Sequence, residues 1–268
     1  MPDRRQDHNP IVSRCANSVA VPPESPSALW LLRHGESAGN LARDQAHAAG
    51  LDRIVIDAAR DMDVPLSPLG EEQAAAVGKW LRDQPRGVQP TAAFSSPYLR
   101  ARSTAAIVLE EAGLGGIERI VDERLREREF GILDRLTRHG IETLHPEQAA
   151  LRSALGKFYH RPPGGESWCD VILRLRTVLD MLFLQQRGQR VLLVCHSVVV
   201  LCFRYLLEQM TEEQILEIDR QADVANCSLT TYELAGGALR LDKFNFVVPL
   251  QEEGTPVTTE PDVALKPK

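Results

Sequence analysis

Two short apolar runs, each followed directly by a histidine, constrain the fold more than any other feature of this sequence. The first begins near Ala28 and ends at Arg33-His34, and the second runs from Val191 to Cys195 and is followed by His196. An uninterrupted apolar run of this length indicates a strand buried on both faces, as in a parallel sheet. Ligands bind just outside the carboxyl ends of strands in open α/β sheets. The two histidines are therefore expected to share one setting, each at the carboxyl end of a strand.

The rest of the chain alternates between further strands and amphipathic helices. Ser67-Pro68 and Ser96-Pro97 each indicate a helix start, because a capping hydroxyl precedes a proline in the first turn. From Ser167 onward, apolar residues at helical spacing predict a long helix that ends just before Gly188. Further strands are predicted at residues 91–95, 117–121, 228–234 and 239–246, the last two as a closing hairpin. The pattern predicts an α/β fold, a three-layer α/β/α sandwich with a mostly parallel central sheet and an antiparallel edge strand.

The length of 268 residues allows a single large domain, which we place at residues 28–248. Residues 1–27 contain several prolines and lack the apolar stretch of a secretory signal, so we expect a disordered N-terminal extension. Residues 249–268 combine prolines with glutamates, which predicts a disordered C-terminal tail. Residues 134–165 carry more cations than carboxylates and are interpreted as a lid or specificity insertion, with a solvated helical insertion as an equal alternative.

Charge and cysteine content limit the classes of partner. The formal net charge of -6 and the pI near 5.7 argue against nucleic-acid binding, since phosphate backbones attract basic surfaces. The most apolar run, residues 191–203, is too short to cross a bilayer, so no membrane association is expected. Five cysteines are odd in number and lack paired metal-ligand spacing, which suits a reducing compartment and predicts a cytoplasmic protein. The oligomeric state stays open.

The residues after the first of the two histidines are suited to holding an anion. Gly35 and Gly39 would let the backbone approach an anion closely. Ser37 and Asn40 offer side-chain hydrogen bonds. Arg100, in the first turn of a predicted helix, would add a cation where backbone amides already favour negative charge. An Arg-His pair alone is better explained as a strand ending in a polar turn, so this interpretation depends on partners elsewhere in the chain.

Four motifs follow one another along the chain: Arg33-His34-Gly35-Glu36, the run from Ser96 to Ala105, Leu125-Arg126-Glu127 with Gly131, and Val194-Cys195-His196. Together they resemble the motifs of the histidine phosphatase superfamily, also called phosphoglycerate-mutase-like. A Gly165-Glu166-Ser167 step before the long helix adds a weaker match. The set extends from residue 28 to about residue 200 and is far more specific than any one motif.

The resemblance implies an enzyme that acts on the phosphate monoester of a small metabolite. His34 would attack phosphorus to give a phosphohistidine, which water then hydrolyses. Glu127 would protonate the leaving alkoxide and then deprotonate the incoming water. His196 would bind the equatorial oxygens and carry positive charge in the transition state.

The resemblance also assigns the groups that bind the phosphoryl group. Arg33 and Arg100 are suited to bidentate contacts with it, and their charge does not depend on pH in the working range. Ser37 and Asn40 would be secondary phosphate contacts. No cofactor is expected, and no metal either, because the arginines and histidines supply the positive charge and no carboxylate cluster offers a magnesium site.

Two residues, Glu127 and Ser197, each allow more than one interpretation. Glu127 lies among many charged residues, where a solvated surface carboxylate is the ordinary explanation, and Glu129 is the rival for the acid role. Ser197 stands where the family commonly has glycine after its second histidine, and its side chain would either crowd the phosphate or add a donor.

The motifs leave the reaction itself open between three alternatives. Phosphoglycerate mutases of the family usually follow the nucleophile motif with a stretch containing Phe and Gly-Trp, and residues 41–66 contain neither Phe nor Trp. A phosphatase is therefore favoured, with a mutase as the alternative. A non-catalytic phospholigand-binding protein is the alternative of another class, and the presence of both arginines, both histidines and the acid counts against it.

Overall fold

A computed structural model describes residues 25–260, which form six strands and nine α-helices. The strands are β1 Ala28–Arg33, β2 Ala92–Ser95, β3 Arg119–Val121, β4 Arg190–Cys195, β5 Leu229–Ala235 and β6 Ala238–Phe246. The helices are α1 Ala38–Ala48, α2 Pro68–Asp83, α3 Leu99–Glu111, α4 Arg138–Leu144, α5 Pro146–Tyr159, α6 Trp168–Gln185, α7 Ser197–Leu207, α8 Glu212–Gln221 and α9 Val248–Glu252. Within this range, no helix combines the length and apolar character needed to span a bilayer.

The strands form one mixed sheet in the order β3-β2-β4-β1-β5-β6. β4 is parallel to both of its neighbours, and its pairing with β1 sets Arg33 opposite Cys195. This register brings the residues that follow, His34 and His196, side by side at the carboxyl edge. β5 pairs antiparallel with β1, and β6 pairs antiparallel with β5 at the edge. The predicted α/β fold with a mostly parallel sheet is confirmed.

Helices cover the sheet on both faces because side chains along a strand point alternately to opposite sides. In β1, Leu29 and Leu31 join a core cluster with residues of α6 and α7. Ala28, Trp30 and Leu32 face the other way and pack with residues of α2 and α3. Both clusters are closed to solvent, so the two histidines extend from a rigid centre of the molecule.

The helix after β2 begins later than its sequence indicates. Ser96-Pro97 was expected to start it, but α3 begins at Leu99, with Tyr98 as its N-terminal cap. The Ser96 hydroxyl is taken by other partners, the ring of His196 and the backbone N–H of Tyr98. Arg100 nevertheless lies in the first turn of α3, as predicted.

Both chain ends pack more than their composition suggests. Residues 1–24 of the predicted N-terminal extension lie outside the described residues, but Ser25 is buried and the backbone N–H of Ser27 donates to the carbonyl of Gln189 (2.9 Å). The prediction of a disordered tail from residue 249 is wrong for residues 249–260. Pro249 and Leu250 of α9 are both buried, and Leu250 packs in the core cluster that includes α2, so apolar contacts hold the start of this segment against the domain. Residues 261–268 lie outside the described residues.

Residues 134–165, interpreted as a lid or an insertion, contain α4 and α5. The Thr137 hydroxyl caps α4 and also donates to the carbonyl of Leu51 (2.6 Å), which ties this segment to the region after α1. Four of its cations are engaged by carboxylates, in the pairs Arg135–Asp134, Arg138–Glu142, Lys157–Asp219 and Arg161–Asp170. The lid role stays a prediction.

Candidate active site

His34 directly follows β1 and is only 3% exposed. Its Nδ1 lies 2.7 Å from the carbonyl oxygen of Gly35. A carbonyl can only accept, so Nδ1 carries the proton and Nε2 keeps the lone pair of a neutral imidazole. Burial, with smaller contributions from the cations Arg100 and Arg33, holds the pKa of His34 well below its usual value. At neutral pH this ring is therefore an uncharged base with Nε2 available as a nucleophile.

The glycine after His34 serves backbone packing. A Cβ at Gly35 would lie 2.4 Å from the carbonyl oxygen of Gly70 in the first turn of α2. Glu36 adds to this contact, since its carboxylate accepts a hydrogen bond from the Ser67 hydroxyl (2.7 Å). The prediction that Gly35 lets an anion approach the backbone is therefore not supported, because α2 fills the space beside this glycine.

His196 follows β4 and is completely buried. Its ring centre lies 5.1 Å from that of His34, in an edge-on arrangement. Nε2 is 2.7 Å from the Ser96 hydroxyl, whereas Nδ1 has no hydrogen-bond partner and lies 3.9 Å from Oε2 of Glu127. Burial and the charge of Arg100 hold the pKa of His196 well below its usual value. The ring is neutral without an anion beside it, and its Nδ1 is the one nitrogen left to bind something new.

The two arginines are both nearly inaccessible, with 1% of Arg33 and 6% of Arg100 exposed. Each is engaged by a carboxylate. Arg33 Nη2 lies 2.7 Å from Oε2 of Glu260, and Arg100 makes a bidentate pair with Asp61 (3.2 and 2.9 Å). Because guanidinium groups form the same paired hydrogen bonds with phosphate oxygens as with carboxylates, this pair of cations can hold a tetrahedral anion.

Glu127 and Glu129 differ sharply in their surroundings. The side chain of Glu127, which belongs to the acid motif, is only 17% exposed. Its carboxylate faces His196. Burial raises the pKa of Glu127 to about 7, partly offset by the hydrogen bond from the backbone N–H of Arg128. Glu129 is exposed and accepts a hydrogen bond from the Tyr98 hydroxyl (2.9 Å). The geometry thus places Glu127, and not Glu129, beside the paired histidines.

Ser37 and Asn40 share the first turn of α1 and bind each other. Ser37 caps α1, and its hydroxyl donates to the side-chain oxygen of Asn40 (2.9 Å) while accepting from the Asn40 backbone N–H. The remaining side of the Asn40 amide, Nδ2, donates to Glu260 (2.7 Å). In this arrangement the Asn40 amide faces the arginine site and the Ser37 hydroxyl holds it in place.

A family model of the histidine phosphatase superfamily (branch 1) matches residues 29–247. The chain belongs to this superfamily. A 2,3-bisphosphoglycerate-dependent phosphoglycerate mutase from Allorhizobium ampelinum is 32% identical over 193 residues, covering 71% of this chain and 84% of that protein. Rat 6-phosphofructo-2-kinase/fructose-2,6-bisphosphatase 1 is 29% identical over 214 residues, covering 80% of this chain and 39% of the rat protein.

Solved structures of the superfamily show the same fold. A mycobacterial glucosyl-3-phosphoglycerate phosphatase, solved in complex with VO3, is similar with a TM-score of 0.62 and 26% identity, covering 82% of this chain and 99% of that chain. The α-ribazole phosphatase from Shigella flexneri gives a TM-score of 0.64 at 22% identity, covering 82% of this chain and 96% of that chain. The likeness to the α-ribazole phosphatase supports the fold alone.

The Gly-Glu-Ser step of the superfamily resemblance supports the loop that carries Glu127. Glu166 binds Arg126 (2.6 Å) and Arg174 (3.0 Å), and Arg174 also donates to the carbonyl of Glu127 (3.3 Å). A Cβ at Gly131, whose φ is +56°, would lie 2.1 Å from the carbonyl of Pro163. The acid loop is therefore clamped against the residues before α6 by ion pairs and by direct backbone contact.

Three side chains at the candidate site make contacts that the sequence does not predict. Ser96 belongs to the second-arginine motif and its sequence indicates a helix start, but its hydroxyl binds His196. Asp61 and Glu260, which engage the two arginines, lie in unremarkable polar segments. Among residues 25–260, no group of three or more His, Cys, Asp or Glu side chains is arranged to hold a metal ion.

Proposed function

We propose that this protein is a phosphatase that hydrolyses a small phosphate monoester through a phosphohistidine on His34. The observation that carries the proposal is the pairing of a neutral imidazole with a half-buried carboxyl whose pKa is about 7, both next to His196. A nucleophile ready to attack and an acid ready to donate are present at the same pH. Two buried guanidinium groups beside them supply the charge that a phosphoryl group requires.

In the first step, the phosphoryl oxygens replace the carboxylates now held by Arg33 and Arg100. The lone pair on His34 Nε2 attacks phosphorus, and the bond from phosphorus to the ester oxygen breaks. An alkoxide is too basic to leave unassisted, so the proton of Glu127 moves to that oxygen as the bond breaks. The products of this step are a free alcohol, a phosphohistidine and an ionised Glu127.

In the second step, the ionised Glu127 takes a proton from a water molecule as its oxygen attacks phosphorus. The bond from phosphorus to His34 Nε2 breaks, which releases inorganic phosphate and restores the neutral imidazole. Glu127 is protonated again, as microscopic reversibility requires. A pKa of about 7 suits a group that must donate a proton in one step and accept one in the next.

His196 is proposed to respond to the charge of the substrate. A phosphoryl dianion beside its unpartnered Nδ1 would raise the pKa of the ring, because an opposite charge at this distance favours the protonated form. Protonated His196 would donate from Nδ1 to a phosphoryl oxygen and from Nε2 to Ser96. Its positive charge would then appear only when the substrate is bound, where it stabilises the transition state.

We also propose that the reaction needs no metal and takes place in the cytoplasm. Arg33, Arg100 and a protonated His196 together provide positive charge on several sides of the phosphoryl group. Cys169, Cys195, Cys202 and Cys227 are free thiols in the described part of the chain, which is compatible with a reducing compartment.

The pH dependence of kcat/KM should report the proton on Glu127. The pKa of this carboxyl is about 7, and only the protonated form can donate. For an alkyl phosphate, kcat/KM is therefore expected to fall about tenfold per pH unit above neutrality. Nitrophenyl phosphate, whose leaving group needs no proton, should show a much shallower decline. Rate profiles of both substrates from about pH 5 to pH 9 measure this, and parallel declines would contradict donation by Glu127.

A phosphoglycerate mutase is the second candidate, and the curated relatives favour it. Another such mutase, from Methylorubrum extorquens, is 31% identical over 196 residues, covering 71% of this chain and 84% of that protein. Against it, residues 41–66 lack the Phe and Gly-Trp features that the family's mutases usually carry there. The similarity to a glucosyl-3-phosphoglycerate phosphatase favours hydrolysis.

Incubation with 3-phosphoglycerate separates the two candidates. A phosphatase is expected to release inorganic phosphate, if it acts on this compound at all, and to form no 2-phosphoglycerate. Phosphorus NMR of the mixture, with and without added 2,3-bisphosphoglycerate, records both products in one experiment. Rapid isomerisation stimulated by the bisphosphate would overturn the phosphatase assignment. A panel of sugar phosphates and phosphopeptides under the same conditions then defines the class of substrate.

A further inference from the structure

Residues 255–260, here called the C-terminal strap, lie beside the proposed phosphoryl site. The Gln73 side chain donates to the carbonyl of Pro256 and to the Thr258 hydroxyl, both at 3.0 Å. The backbone N–H of Asn226 donates to the carbonyl of Thr258 (2.9 Å), in the loop whose next residue, Cys227, contacts the carbonyl of His34. Among residues 251–260 no apolar side chain is buried, and a few hydrogen bonds hold the strap in this position.

The strap ends with a carboxylate placed among the anion-binding groups. Oε2 of Glu260 accepts from Arg33 Nη2 and from Asn40 Nδ2, both at 2.7 Å, and Oε1 accepts from Arg43. Burial alone would raise the pKa of Glu260, but Arg33 and Arg43 outweigh it and hold the pKa below its usual value. The group is thus an anion at neutral pH, bound by Arg33, to which the proposed function assigns the phosphoryl group, and by Asn40, which the sequence predicts as a secondary phosphate contact.

We propose that Glu260 is an internal competitor, whose carboxylate occupies part of the phosphoryl-binding site and must leave before substrate or inorganic phosphate can bind. This inference rests on the proposed function only for the position of the phosphoryl group.

Geometry and charge both prevent the carboxylate and a phosphoryl group from sharing the site. Arg33 Nη1 donates to the carbonyl of Val224 and Nη2 donates to Glu260, which leaves only the buried Nε of this guanidinium without a partner. A phosphoryl oxygen that binds at Nη2 must therefore take the place of the carboxylate. The same carboxylate oxygen also accepts a hydrogen bond from Nδ2 of Asn40, the one nitrogen of that side chain. An ionised Glu260 left next to a phosphoryl dianion would also repel it, because like charges at contact distance disfavour each other.

Binding of inorganic phosphate to the full-length chain tests the proposal without any turnover. Glu260→Gln removes the charge with little change of shape, and Glu253→Gln removes a carboxylate that pairs with Lys79 on the surface outside the site. Calorimetry should show phosphate binding on the order of tenfold tighter in Glu260→Gln, as expected if the strap leaves the parent site open about a tenth of the time. Glu253→Gln should match the parent. Unchanged or weaker binding in Glu260→Gln would overturn the proposal.

Hydrogen exchange gives a second measurement. If phosphate displaces the strap, the amide of Asn226 loses its acceptor on Thr258 and should exchange faster when phosphate is bound. Unchanged exchange would mean that the strap stays in place when phosphate binds, and slower exchange would mean that it closes over the ligand. Either result would contradict the proposal. Tighter phosphate binding without turnover of any ester would leave the proposal standing and refute the phosphatase. Turnover in the parent without tighter phosphate binding in Glu260→Gln would support the phosphatase and refute the role of Glu260 as a competitor.

Discussion

His34→Ala is expected to reduce turnover of an aryl phosphate by a factor on the order of 10⁴ to 10⁶, the range typical of a lost nucleophile. Alanine has no lone pair to attack phosphorus, so no covalent intermediate can form. The parent incubated with a labelled substrate and quenched in alkali, where phosphohistidine persists, should carry label that the variant lacks. The fold should remain, because β1, which ends just before His34, keeps its backbone pairing with β4 and β5.

His160→Ala is the matched control for this experiment. His160 is also buried, with 1% exposure, but it lies after α5 with no hydrogen-bond partner for either ring nitrogen. Its loss should lower the melting temperature without removing label or turnover. Parental activity in His34→Ala would refute the mechanism. A parent that binds phosphate yet never becomes labelled would favour the non-catalytic phospholigand-binding alternative.

Glu127→Gln is expected to slow phosphoenzyme formation from alkyl phosphates by about 10² to 10⁴, the effect of losing a general acid. The amide keeps an oxygen that can accept from the backbone N–H of Arg128, so the loop should hold its position. Nitrophenolate leaves without a proton, so the same step with nitrophenyl phosphate should slow much less. The burst of released nitrophenol is the quantity to follow, because Glu127 also activates water and slow dephosphorylation would mask the contrast in steady-state rates.

Glu129→Gln provides the control, since it changes a neighbouring carboxylate that binds Tyr98 and is exposed. Little effect is expected with either substrate. Equal impairment of the burst and of alkyl-phosphate cleavage in Glu127→Gln would mean that Glu127 positions the site without donating a proton. A selective effect on alkyl phosphates in Glu129→Gln would move the acid assignment to that residue.

The central architecture follows from local patterns. The apolar runs that become β1 and β4 have no polar side that could face water, so they must lie inside a covered sheet, and the histidines that follow them must lie at its carboxyl edge. Ser67-Pro68 predicts the start of α2 correctly, because both a capping hydroxyl and a proline act within one helical turn. Such features depend on neighbouring residues and need no knowledge of the rest of the chain.

The same local signal failed at Ser96, and the reason is physical. A serine hydroxyl can cap a helix or bind a distant side chain, and only the arrival of His196 from β4 decides between the two. The C-terminal segment is a similar case. Its polar composition favours disorder, yet Leu250 reaches an apolar cluster formed by residues far earlier in the chain, and the hydrogen bonds of Glu260 come from β1 and α1.

By itself, the sequence determined the strands of the sheet, the starts of α2 and α6, the order of the motifs and the residue types available for phosphoryl chemistry. Only the tertiary structure decided how those groups act together. Burial, which no local pattern records, raises the pKa of Glu127 to about 7, lowers the pKa of His34 and leaves Glu129 as a surface carboxylate. The contacts of Arg33 with Glu260 and of Arg100 with Asp61 join residues distant in the chain, so they exist only once the sheet register has brought those segments together.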